Sequence, residues 1–225
     1  MGWMRVFEAV LALALPSRCP CCGDTGPAPC PACWARLERA PVIPSPPGVD
    51  CVRALIRYDD AGRDLLVRMK YGNARSTVRW LSAGMAALAN APPGGFDAIT
   101  WAPTTAARRR ERGFDQAEVL ARAVARHGPG GARHPPLRPA VVPLLVRLPG
   151  PAQTGRTRQE RHADPPRFAA RGKAPPNVLL IDDVFTTGAT IGAAATALRS
   201  AGAKTVNVVT AACTPLKVCE PSADP

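Results

Sequence analysis

The chain has 225 residues, 46% of them hydrophobic, and a formal net charge of +12. That length suits one good-sized domain with a small appendage, and the apolar content argues against wholesale disorder. Aromatic residues make up only 5%, so the core must be built mostly from Ala, Val and Leu.

The first expected element is an apolar helix over 3–15 that stops at Pro16. Its run from Ala9 to Leu15 sits at the lower edge of a signal-peptide core and is far too short to span a bilayer. We read it as a helix packed on the protein, and no other segment looks transmembrane. Next comes "CPCCGDTGPAPCPAC", five cysteines within fifteen residues. Cys19, Cys22, Cys30 and Cys33 form two CxxC knuckles joined by a Gly/Pro turn. Each knuckle presents two sulfurs on one side of a loop, and together they complete a tetrahedral Zn²⁺ shell. Such a closed shell serves folding rather than catalysis. It also points to a reducing, cytoplasmic location. Cys21 is a spare that could replace Cys19 or Cys22. Cys51 reads as core, and Cys213 and Cys219 as ordinary thiols.

A Pro-rich linker at 41–47 follows, one of several clusters among the 26 prolines. Beyond it we expect a strand over 52–59, helices over 61–73 and 77–90, and a buried strand over 96–103. Residues 104–128 read as a basic loop and then an amphipathic helix. The apolar segment 141–149 is interrupted by Pro143. A continuous apolar strand over 177–183, a helix over 190–203 and a closing strand over 204–213 complete the chain. Strand, helix and strand in succession make a βαβ unit, which suits a doubly wound parallel α/β sheet. The expected division is 1–47 for the helix, knuckle and linker, 48–215 for the main domain, and 216–225 for a disordered tail.

Charge is uneven. Residues 103–173 hold 15 basic and 5 acidic groups, whereas residues 174–225 hold 3 and 4. A basic middle third attracts phosphates, on a small ligand or on a nucleic acid.

The most informative stretch is "VLLIDDVFTTGAT", Val178 to Thr190. A hydrophobic strand here runs into two like charges, Asp182 and Asp183. In open α/β sheets ligands sit beyond the carboxyl ends of the strands. Gly188 lets the backbone approach a ligand, Thr186, Thr187 and Thr190 offer hydroxyls, and successive N–H groups at a helix start cradle an anion. One end of the motif suits a phosphate, and the carboxylates suit hydroxyls or a metal. A sugar phosphate has both. No Gly-Lys-Ser/Thr of a Walker loop is present.

This stretch resembles the binding motif of type I phosphoribosyltransferases. The resemblance implies phosphoribosyl pyrophosphate and Mg²⁺ as ligands. Asp182 and Asp183 would then hold the ribose 2′- and 3′-hydroxyls, and Thr186, Thr187, Gly188, Ala189 and Thr190 would wrap the 5′-phosphate. "RMKYGN" (68–73), "RGFDQAEVLARAVA" (112–125), "QTGRTRQER" (153–161) and the cysteine knuckles occur in the order seen in the ComF family, over about 5–215. These are competence-associated, phosphoribosyltransferase-like proteins of bacteria. Two departures stand out: Asp115 replaces the usual Asn of Arg-Gly-Phe-Asn-Gln, and Asp164 stands where Asn follows the later Arg. Each adds a negative charge to the surface the resemblance gives to phosphate.

The implied chemistry breaks the bond from ribose C1 to pyrophosphate, so catalysis is mostly positioning and charge stabilisation. Asp182, Asp183 and Arg112 would carry it. Arg108 to Arg110 are further candidates for the pyrophosphate. Arg147, Gln153, Arg158 and Arg161 lie in a segment the resemblance makes a flap. The family also implies a link to DNA uptake, through single-stranded DNA or a DNA-uptake helicase as partner. A nucleobase salvage transferase is a further reading, and the sequence names no acceptor.

Overall fold

The computed structural model describes residues 18–26, 28–71, 74–89, 91–93, 95–128, 139–149 and 166–214. The expected helix over 3–15, the tail over 216–225 and the flap residues Gln153, Arg158, Arg161 and Asp164 lie outside them.

After a single helical turn in the cysteine region, α1 (Pro31–Trp34), the chain forms β1 (Cys51–Arg57), α2 (Asp60–Tyr71), α3 (Ala74–Leu88) and β2 (Ala98–Trp101). Then come α4 (Ala106–Arg112), α5 (Gln116–His127), β3 (Ala140–Val141), β4 (Leu145–Arg147) and β5 (Phe168–Ala170). β6 (Asn177–Phe185), α6 (Ala189–Ser200) and β7 (Thr205–Cys213) complete the fold. Five strands pair in the order β1-β7-β6-β2-β3, all parallel, while β4 and β5 form a separate antiparallel hairpin. This is the mixed α/β architecture with a parallel central sheet that the alternation predicts.

The sheet is covered on both faces because its strands alternate two apolar sets. Leu179 and Ile181 of β6 pack with Leu65, Met69, Leu81, Met85, Leu120 and Val124, which come from α2, α3 and α5. Val178 and Leu180 pack on the opposite side with Ile191, Ala194 and Leu198 of α6. Ile43 and Val49 join this second core, so the Pro-rich run is seated on the domain. No helix among the described residues is long and apolar enough to cross a membrane.

Three expectations need correction. The basic stretch after β2 is a helix, α4, because Ala and Arg are strong helix formers and both ends are capped. Thr105 Oγ1 accepts the Arg108 N–H at 3.3 Å, and Gly113 ends the helix with φ 78°. The segment 141–149 splits at Pro143 into strands of two different sheets, β3 and β4. Finally, β6 runs on past its aspartates to Phe185, with Asp182 in register with Thr210.

Candidate functional site

β2 and β6 are neighbours, yet the chain leaves them in opposite directions, from β2 towards β3 and from β6 towards β7. That divergence opens a crevice at their carboxyl ends. A cleft of about 510 Å³ lies there, walled by the ends of both strands, by α4 and the start of α5, and by Arg147 of the hairpin.

The β6 wall holds Asp182, Asp183, Thr186, Thr187, Ala189 and Thr190. Asp182 is buried and Asp183 half-buried. The Asp183 N–H donates to Asp182 Oδ1 at 2.9 Å, and the Val184 N–H to Asp183 Oδ1 at 2.8 Å. Burial, then the adjacent Asp183 charge, pushes the Asp182 carboxyl well above its ordinary value, with the Asp115 charge adding to the push. Clustering two carboxylates in a buried place is costly unless a cation or hydroxyl donors meet them.

Gly188 stands at the N-cap of α6 with φ 79° and brings no side chain to the first turn. Thr187 Oγ1 accepts the Ala189 N–H at 3.3 Å. A Cβ on Gly188 would lie 2.9 Å from Phe185 Cζ, so both its φ and its surroundings require glycine. Thr214, just past β7, donates through Oγ1 to the Thr186 carbonyl at 3.3 Å and so ties down the loop. The result is a glycine-capped helix start beside two carboxylates.

The opposite wall is cationic. Arg108 and Arg112 are one helical turn apart on α4 and both line the cleft. Arg109 turns away to pair with Glu118 at 3.6 Å, and Arg110 is exposed, so only part of the 108–110 run reaches the site. Arg112 Nη1 donates to Gln116 Oε1 at 3.2 Å. That contact fixes the amide orientation, and it leaves Gln116 Nε2 and Arg112 Nε buried without a partner among the described residues. Arg147 reaches in from β4, half-buried, with its guanidinium 5.6 Å from the Phe168 ring centroid. Burial and then the Arg108 charge lower its basicity, while Asp182 and Asp115 oppose that shift. Arg147 therefore senses Arg108, Asp115 and Asp182 across the cleft.

Asp115 is buried and spans two elements. Its Oδ1 accepts the N–H groups of Ala117 and Glu118 at the start of α5, and its Oδ2 accepts the Thr104 N–H at 2.8 Å. The extra charge noted in the sequence is thus largely spent on three backbone donors. Burial still raises its carboxyl above the ordinary value, although those donors oppose the rise.

Sequence reasoning missed Gln116, Thr104, Tyr58 and Thr214 as cleft residues. Gln116 follows Asp115 directly, and its position one turn beyond Arg112 was the available signal. A second depression, of about 570 Å³ between β5 and α6, is shallow and mainly apolar, with Arg167 as its one charged side chain among the described residues.

The cysteine cluster is separate. The ligand atoms of Cys19, Cys22, Cys30 and Cys33 lie within 4.8 Å of one another, and Cys22 Sγ is 3.8 Å from Cys30 Sγ. A tetrahedron with Zn–S bonds of about 2.3 Å has edges of roughly 3.8 Å, so the four thiols fit a structural zinc. The Cys30 N–H also donates to Cys19 Sγ at 3.3 Å. Burial would raise the Cys19 thiol, but the N–H groups of Cys30, Cys22 and Cys21 outweigh it and bring it down to about 6. Cys21 stands outside the quartet and packs against the first core.

No family model matches the chain. It is 29% identical over 153 residues to "Competence protein ComFC" of Bacillus subtilis (strain 168), across 67% of this chain. The match spans 58% of that relative's length. The cysteine quartet and the loop after β6 stand beside this similarity to a competence protein.

Proposed function

We propose that the cleft binds phosphoribosyl pyrophosphate together with Mg²⁺. The observation that carries this reading is the pairing of a strand with two carboxylates near its end and a glycine-capped helix start with three arginines facing them across about 510 Å³. Asp182 and Asp183 would take the ribose hydroxyls, and the amides and hydroxyls of 186–190 the 5′-phosphate. Arg108, Arg112 and Arg147 would meet the pyrophosphate, joined by Gln153, Arg158 and Arg161 of the flap. Mg²⁺ would neutralise charge on the pyrophosphate, and Asp182 with Asp183 offers oxygen ligands of the kind it takes. Transfer to an acceptor would then rest on charge stabilisation by Arg112 and its neighbours.

The relative's name supports a role in competence, and hence in DNA uptake. A non-catalytic module that holds single-stranded DNA or a helicase is the alternative, favoured by the basic middle segment. Calorimetric titration of phosphoribosyl pyrophosphate and Mg²⁺ into wild type and Asp182→Asn/Asp183→Asn tests the first reading. Binding that the double variant loses supports it; no binding to folded, zinc-loaded wild type overturns it. A salt titration of single-stranded DNA binding tests the second, which needs an affinity falling steeply with salt.

A further inference from the structure

We propose that residues 43–50 form a strap that braces the loop 186–190 from behind, with Pro46 as its positioning residue. The proposal rests on reading that loop as the phosphate loop.

The strap is held at both ends. Ile43 and Val49 are buried in the core against α6. Between them the Val49 N–H donates to the Pro46 carbonyl at 3.1 Å, with Pro47 second in the turn and Gly48 third at φ 81°. This is the residue pattern of a type II turn, and it needs little ordering because Pro47 is already restricted. Arg199, at the far end of α6, fastens the turn. Its Nε donates to the Gly48 carbonyl at 3.0 Å, and its Nη2 lies 2.6 Å from Asp50 Oδ2. The same Asp50 oxygen accepts the Val206 N–H at 2.7 Å.

Fastened in this way, the strap lies on the first turn of α6. A Cβ on Gly188 would be 3.4 Å from Pro46 Cβ, and one on Gly192 would be 3.7 Å from it and 3.8 Å from the Pro47 carbonyl oxygen. Gly188 and Gly192 are one turn apart and joined by a 2.7 Å hydrogen bond from the Gly192 N–H to the Gly188 carbonyl. Pro46 thus sits against the residue whose left-handed backbone shapes the anion-binding turn, with Phe185 on another side of it. A loop wedged between Phe185 and Pro46 keeps its amides aimed before any ligand arrives, which removes an ordering cost from binding.

The strap also continues towards the cysteine quartet. The Arg57 N–H donates to the Glu38 carbonyl and the Ala40 N–H to the Leu55 carbonyl, so residues 38–40 run beside β1. Trp34 packs edge-on against Trp80 of α3 with ring centroids 6.0 Å apart. The path from the quartet to the loop is therefore held at Trp34, at 38–40, at Ile43 and at 46–50.

The test uses the full chain with Pro46→Gly and, from the remote end, Arg199→Gln. Amide hydrogen exchange over 186–190 is measured without ligand, and affinity for phosphoribosyl pyrophosphate by calorimetry, with the melting temperature alongside. Both variants should exchange faster at 186–190, and affinity should fall about fivefold as preorganisation is lost. A lower melting temperature with exchange and affinity unchanged would reduce the strap to a stability element and overturn the proposal. If wild type binds no ligand, the phosphate reading fails, while the exchange rates still decide the strap.

Discussion

Asp115 Oδ2 accepts the N–H of Thr104 at 2.8 Å, and this contact links the end of β2 to the start of α5. The other oxygen of the same carboxylate caps the helix. Asp115→Ala strips three backbone N–H groups of their acceptor and should cost about 1–3 kcal/mol in chemical denaturation. Asp115→Asn can keep the oxygen that caps α5 while its NH2 replaces the acceptor of the Thr104 N–H, so it should lose less stability than Asp115→Ala but not none. Near-equal losses for the two variants would show that the link to Thr104, or the charge, outweighs the cap on α5.

Asp182→Asn should stabilise the unliganded protein and abolish ligand binding. Its carboxyl is raised in the folded state, so it contributes stability below the ordinary value of 3.8 that is lost as pH rises through the raised one. The gap in melting temperature between variant and wild type should therefore open as pH climbs, by roughly 2–4 °C for each kcal/mol of repulsion relieved. A gap independent of pH would sink this account.

Gly188→Ala places a side chain at φ 79° and 2.9 Å from Phe185 Cζ. The backbone strain alone costs on the order of 1 kcal/mol, and the contact forces Phe185 or the loop to shift. Denaturation should show the loss, and phosphate binding should fall with it.

Cys30→Ser should remove bound zinc and lower the melting temperature, whereas Cys21→Ser should retain one zinc per chain. Metal analysis of the purified variants separates the two. Zinc loss in the Cys21 variant would mean that the quartet has been drawn with the wrong member.

Local chemistry was legible in the sequence. The strand, the two aspartates and the loop at 186–190 are consecutive, so their proximity follows from the chain itself. The cysteine frame was legible for the same reason, but the sequence leaves Cys21 able to replace Cys19 or Cys22, and only the three-dimensional packing sends Cys21 towards the core. Arg147 illustrates what stays hidden. Its neighbours Phe168, Arg108 and Asp182 are far away in sequence and meet it only through the hairpin. The seating of the Pro-rich run on α6 was hidden too, because proline clusters read alike whether they hang free or lie in a groove.

β6 is paired in register on both sides: Ile181 stands opposite Trp101 and Val209, and Leu180 opposite Thr100 and Val208. Side chains along it alternate between two filled faces, so inserting one residue before Asp182 would exchange every side chain's face at once. Length variation in this strand is therefore confined to even steps. In a descendant of this gene, a single-codon insertion or deletion between 177 and 181 should be selected against more strongly than most point substitutions at the same positions.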